Sequence, residues 1–369
     1  MKHKYKELDA LRWLAAFAVG MGHAFLCFLV DGSVPKVPHV LGTMVFNGAY
    51  AVDLFFVLSG FVLINATKPL GIRTFAGFLA RRALRIYPAA WMSLVLAVLA
   101  LAIAHTLRGY HSPWVSPWID SLLGMPEIGL VSILGILVLT NYGVNTTLWT
   151  IAIELAASIA YPLFVPLIKS GRVAVAVVLT AIAVFVSAYV AGGMAITHVL
   201  HYAFMFMTGA CLNFLSPIQR LRGRNYAVFA AVGLMFCARL YGQRHGFASD
   251  ILSVGSAAIA IGTIAFWCPP WLERFLARPA LVTFGRASYS YYLINPAITF
   301  VLVKASQILC LGGPSNSIEY IGYSLSLGIV AAIMTIPMAV LSAEYLERSS
   351  IRVGRMIESR ILSGAWDSP

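Results

Sequence analysis

"RWLAAFAVGMGH", Arg12–His23, lies inside an apolar run from Ala10 to Val30. A helix of that length crosses the roughly 30 Å hydrocarbon layer of a bilayer. Arg12 opens the run and His23 interrupts it, with no charge between them. Eleven positions at about 100° each make three turns plus roughly 20°, so both side chains share one face, about 16 Å apart along the axis. Ionisable groups at membrane depth are costly and face a bundle interior or a cavity. One simple reading has Arg12 snorkelling to headgroups and His23 bonding across helices. The other makes them parts of one site.

The rest of the chain repeats the apolar pattern. Of 369 residues, 60% are apolar and 11% charged, and mean hydropathy is +0.84. Continuous apolar runs, not alternating segments, carry the signal, so the fold class is an all-α polytopic membrane bundle. Spans are expected near 9–30, 42–66, 84–107, 146–168, 172–191, 196–215, 226–242, 250–267, 286–310 and 320–342. The apolar stretch 128–141 is short for a span. If it lies in the interface or re-enters, about ten spans remain and both termini share one side. The basic residues then sort to that side, except Lys36, Arg108 and Arg244 outside and Arg12, Arg239 and Lys304 within spans. The positive-inside rule makes that side the cytoplasm. The net charge of +12 therefore reflects topology, and no nucleic-acid partner is expected. The expectation is one domain, 1–369, with an outer loop over 108–145 and a cytoplasmic tail over 343–369. The N-terminal run lacks a small-residue cleavage site and reads as a retained first helix, not a signal peptide. Five scattered cysteines without CxxC spacing suggest neither disulfides nor metal.

Other stretches bear on the Arg12–His23 pair. "LWTIAIE" sets Glu154 about 9 Å into a span entering from outside, and "AVDLFF" places Asp53 at a similar level in another. An imidazole and two carboxylates from three helices then share one layer, as an acid–base site or a proton path. No HxxxH or HExxH spacing occurs, so no metal site is expected. "FLARRALRIYP" puts Arg81, Arg82 and Arg85 before the third span. They read either as membrane anchors or as a phosphate clamp beside Arg12. Ser59 and Ser158 are weak nucleophile candidates, since such serines in membrane helices usually serve packing.

Taken in series, the Arg12–His23 spacing, "VDLFFVLSGF", "RRALRIYP", "LWTIAIE", "FGRASYSYYLINP" and "EYLERSSIRVGR" resemble acyltransferase family 3, a family of integral-membrane acyltransferases, over nearly the whole chain. The resemblance implies about ten helices and acyl transfer, by default acetyl, from cytoplasmic acyl-CoA. The acceptor it implies is a hydroxyl of a sugar or envelope glycan such as an O-antigen, capsule or exopolysaccharide. His23 and Arg12 match the family's first-helix motif and Glu154 its buried glutamate; His23 is then expected to be a general base or acyl carrier, with Glu154 or Asp53 orienting the imidazole. Arg12, Arg81, Arg82 and Arg85 are implied to bind the acyl-CoA. Ser59, Tyr87, Trp149, Tyr289 and Asn295 are expected to line the pocket. Family members often carry histidine where this chain has Asn295, so His23 must suffice here. No bound cofactor is expected beyond the acyl-CoA co-substrate, and the location implied is the cell inner membrane. The alternative is a proton-coupled transporter or flippase using His23, Glu154 and Asp53 as a relay, although no internal repeat supports it.

Overall fold

The computed structural model describes residues 5–66, 71–106, 112–123, 130–169, 181–182, 195–215, 224–242, 246–309 and 312–363. The helices are α1 (Lys6–Ala24), α2 (Lys36–Val45), α3 (Gly48–Ala66), α4 (Ile72–Thr106), α5 (Ile119–Leu122), α6 (Leu130–Leu137), α7 (Leu148–Lys169), α8 (Ala195–Cys211), α9 (Arg224–Gly242), α10 (Gly246–Trp267), α11 (Pro270–Leu276), α12 (Pro279–Arg286), α13 (Ser288–Ile308), α14 (Ser317–Ser342) and α15 (Arg348–Ser363). A π-helical turn, Ala343–Glu347, joins the last two. Among the described residues the only β pairing is two isolated bridges.

Among the described residues, four segments are long and apolar enough to cross a membrane: Lys36–Ile64, Arg73–Thr106, Ser249–Trp267 and Ser317–Ser363. The first of these breaks between α2 and α3, where Asn47 accepts a hydrogen bond from the Tyr50 amide at 3.0 Å and starts the second helix. Other expected spans are helical but carry more polar groups. α1 contains Lys6, Glu7, Asp9 and Arg12, and α13 contains Ser288, Ser290, Asn295 and Thr299. The expected span 172–191 lies outside the described residues apart from 181–182.

One expectation needs correction. The first helix does not run to residue 30 but stops at Ala24. The chain beyond it is tied to the segment 112–123, with the Leu29 amide donating to the Trp114 carbonyl at 2.7 Å and the Ser116 amide to the Cys27 carbonyl at 2.9 Å. Tyr320 on α14 donates its hydroxyl to the Phe25 carbonyl. Those bonds satisfy backbone groups that a longer helix would otherwise have used. Within the expected tail after 343, α15 packs along α4, fastened by the Arg81–Glu358 ion pair at 2.7 Å.

α1 lies at the centre, packed on α3, α12, α13 and α14. α3 crosses α8 at a point where backbones touch. A Cβ on Gly60 would collide with the Phe206 carbonyl, and one on Gly209 with the Val57 carbonyl. Small residues permit that approach where lipid supplies no hydrophobic drive between helices.

Candidate functional site

Three adjoining cavities run along α1. The widest, about 820 Å³, is lined by Arg12, Arg81, Arg82, Arg85, Arg286, Arg348, Arg352 and Arg355, with Asp9, Glu344 and Glu347 among the few acids. α1, α4, α12 and α15 each contribute cations to it. Helix packing sets their roles. Arg82 is buried, and its Nη2 meets Glu154 Oε1 at 2.7 Å while its Nε donates to Ser158 Oγ at 3.0 Å. The Ser158 hydroxyl donates to the Glu154 carbonyl one turn back at 2.7 Å. Arg81 is held by Glu358, and Arg348 pairs with Glu344 one turn away. Arg12, Arg85, Arg286, Arg352 and Arg355 form no ion pair among the described residues. Guanidiniums left uncompensated around one cavity attract a polyanion, and each can bind phosphate through two parallel N–H groups.

From this mouth a throat of about 80 Å³ leads inward. Arg12, Arg82 and Arg85 line both the mouth and the throat. The remainder of the throat is mostly apolar or hydroxylic, with Val52, Phe55, Phe56, Ser59, Thr150, Tyr289 and Tyr292 on its walls. Tyr289 is fixed by donating to the Ile86 carbonyl at 2.9 Å. Tyr292 hydrogen-bonds the Thr150 hydroxyl at 3.2 Å.

Val52 and Tyr292 also line the third cavity, of about 510 Å³, which holds His23. Its other walls include His39, Asn47, Trp118, Thr146, Thr147, Trp149 and Arg239. His23 sits in the last turn of α1. Its Nδ1 is buried with no hydrogen-bond partner among the described residues, and its ring lies 5.5 Å from that of Trp118, centroid to centroid. An imidazole with a nitrogen free of protein partners, on a residue lining a polar cavity, has the chemistry of a candidate base for a hydroxyl bound there. The cavity wall around it begins α7. Asn145 Oδ1 accepts from the Thr147 hydroxyl at 2.7 Å, and Asn145 Nδ2 donates to the Leu293 carbonyl at 3.1 Å. This locks "LWT" against α13.

The sequence-derived residues separate accordingly. Arg12, Arg82 and Arg85 line the mouth and throat, Arg81 lines the mouth, Ser59 and Tyr289 line the throat, and Trp149 lines the His23 cavity. Glu154 is not beside His23. It lines the throat against Arg82, because a buried carboxylate gains more from a fixed guanidinium than from a neutral imidazole. Asp53 lines none of the three cavities. It is buried toward α10, hydrogen-bonded to Ser253 and facing Asp250, which pairs with His201 at 3.1 Å. His23, Glu154 and Asp53 therefore form no relay among the described residues. Tyr87 points outward, donating to the Val138 carbonyl at 3.3 Å. Asn295 is packed between α1 and α14, near Gly20, Tyr291 and Thr335, and lines none of the three cavities. Sequence reasoning missed His39, Asn47, Thr147, Arg239 and Tyr292, as well as Arg286, Arg352 and Arg355. Only the arginines carried a signal: Arg239 as a charge in an apolar run, and Arg352 with Arg355 at a spacing that shares a helix face.

A family model described as "Acyltransferase domain" matches residues 5–343. The acyltransferase MdmB of Streptomyces mycarofaciens is 28% identical over 333 residues, covering 83% of this chain and 81% of that protein. The exopolysaccharide production protein ExoZ of Rhizobium meliloti (strain 1021) is 27% identical over 340 residues, covering 84% and 91%. No solved structure gives a significant match.

Proposed function

Because the chain belongs to acyltransferase family 3, we propose that it is a multi-pass membrane O-acyltransferase, moving an acyl group, by default acetyl, from cytoplasmic acyl-CoA to a hydroxyl of a sugar in an envelope glycan. The observation that carries this reading is the series of cavities, from an arginine-lined mouth through a narrow throat to His23. An acyl-CoA has matching parts: a polyanionic nucleotide for the mouth, a thin unbranched arm for the throat and a thioester for the far end. The name of the relative ExoZ supports an exopolysaccharide or similar glycan as acceptor.

In this mechanism Arg12 and Arg85, with the arginines of α12 and α15, hold the nucleotide phosphates. Glu154 holds Arg82 in place at the throat. His23 Nδ1 takes the proton of the acceptor hydroxyl as its oxygen bonds to the thioester carbonyl carbon. The carbon–sulfur bond then breaks, and the departing thiolate takes that proton to leave as free CoA. Threading the thioester through the protein lets a cytoplasmic donor meet an acceptor on the opposite face. The accompanying topology is one domain, 1–369, of about ten spans in the inner membrane, with both termini cytoplasmic.

The experiment is transfer from labelled acetyl-CoA to envelope glycan in inverted vesicles carrying wild type or His23→Ala. Label in glycan that depends on His23, while CoA binding persists in the variant, is the expected result. A wild type that neither binds CoA nor transfers label to any glycan overturns the reading.

A further inference from the structure

Among the described residues, Arg239 is the only permanently charged side chain lining the His23 cavity. It projects from the last turn of α9, where the one other charge is Arg224 at the helix start, and its Nη2 donates to Thr43 Oγ1 at 2.8 Å. Thr43 passes its own proton to the His39 carbonyl at 2.9 Å. Ser249 on α10 fastens the same turn by donating to the Ala238 carbonyl at 2.9 Å. The guanidinium is therefore held in one place, yet it forms no ion pair among the described residues, and the cavity it lines contains no carboxylate. Five N–H donors are available on such a group, and one bond to a threonine leaves most of them unused. A fixed, unneutralised cation at this depth is costly for the fold alone. A ligand that brings the negative charge resolves that cost.

We infer that Arg239 binds a carboxylate on the acceptor, so that the glycan acylated is an acidic one. This rests on the acyl-transfer reading, in which the cavity receives the acceptor. The other walls suit a sugar. Trp118 and Trp149 offer flat faces, and Asn47, Ser121 and Thr146 offer hydrogen-bonding groups. The charge is presented from α9, across the cavity wall from α1, and so selects the acceptor without holding the donor.

The test compares two acceptors that differ only in charge: a uronic-acid-containing oligosaccharide and the same oligosaccharide after carboxyl reduction. Transfer from labelled acetyl-CoA is measured with wild type, Arg239→Gln and Arg239→Lys, with solubilised yield and thermal unfolding as controls for folding. The wild type is expected to favour the acidic acceptor by about 10-fold or more in kcat/KM. Arg239→Gln is expected to lose about 10- to 100-fold on the acidic acceptor only, and Arg239→Lys to recover part of it. Equal use of both acceptors by the wild type overturns the inference and leaves the acyl-transfer reading standing. An equal loss on both acceptors in Arg239→Gln also overturns it, assigning Arg239 to the reaction's own oxyanion, to a lipid headgroup or to the fold. A wild type that acylates neither acceptor counts against the acyl-transfer reading and takes this inference with it.

Discussion

At the residue scale, the pairing of Arg82 with Glu154 decides how the buried charges sort. Each group sits away from bulk water, with side-chain exposures of 11% and 22%, so removing either strands the other. Breaking such a pair costs about 3–5 kcal/mol, more than an exposed bridge would. Glu154→Ala and Arg82→Ala should therefore each lower the unfolding temperature of the solubilised protein, and the double variant should be less destabilised than the two single losses added together. Strict additivity in that cycle would mean the pair does not interact. His23→Gln behaves differently: the size is nearly kept, so folding and donor binding should hold while turnover falls about 10²- to 10⁴-fold, the usual contribution of a general base. A variant that retains wild-type turnover would remove His23 from the chemistry. The place of His23 on a cavity wall was legible in the sequence, because a lone histidine inside an apolar run has few uses. The partner of Glu154 was not. Counting residues into a span gives depth but not the direction a helix face points, and that direction brings Arg82 rather than His23 to the carboxylate.

At the scale of elements, α15 shows what apolar periodicity conceals. Helices buried in lipid on one side and in protein on the other are apolar all round, so spans stand out in the sequence while their crossings do not. α15 is different: it is strongly amphipathic and reads from sequence as a basic tail, yet it lies on α4 with Gly354 close against the Arg81 backbone, where a Cβ would sit 3.2 Å from Arg81 Cα. This docking carries Arg352 and Arg355 into the mouth. Both are surface-exposed on a helix that Arg81–Glu358 already anchors, so Arg352→Gln with Arg355→Gln should spare folding. The double variant is expected to raise the KM for acetyl-CoA by about 10-fold or more with little change in kcat, as loss of charge-assisted phosphate contacts does. An unchanged KM would confine donor binding to Arg12, Arg85 and Arg286. The same reasoning at the α3–α8 crossing predicts that Gly209→Leu, forced against the Val57 carbonyl, abolishes accumulation of folded protein, measured as monodisperse yield in detergent.

At the scale of the whole molecule, function depends on three spaces being joined end to end, which no short motif encodes. Several of the quoted sequence blocks supply the walls: Arg12 and His23 mark the two ends of the proposed path along α1, "RRALR" and "LWTIAIE" its middle. Their order along the path comes from packing α3 and α13 on α1, with α4 packed on α13 and α7 on α3 and α4, and that packing was beyond reach from a single chain. The throat is the narrowest point, about 80 Å³ against 820 Å³ and 510 Å³ on either side. Val52, 9% exposed, lines both the throat and the His23 cavity. A larger side chain there should close the passage without touching the arginines that hold the nucleotide. Val52→Phe is thus expected to keep CoA binding, read by competition with labelled CoA, and to lose acyl transfer to glycan by about 10²-fold or more, the scale at which a small misplacement of reacting groups acts. Val52→Ala, which widens the same point, should keep transfer. If Val52→Phe transfers acyl groups at the wild-type rate, the thioester does not travel through this throat, and mouth and His23 must serve separate ligands. If binding and transfer are lost together in a folded variant, the throat is part of the donor site itself and the division between mouth and passage disappears.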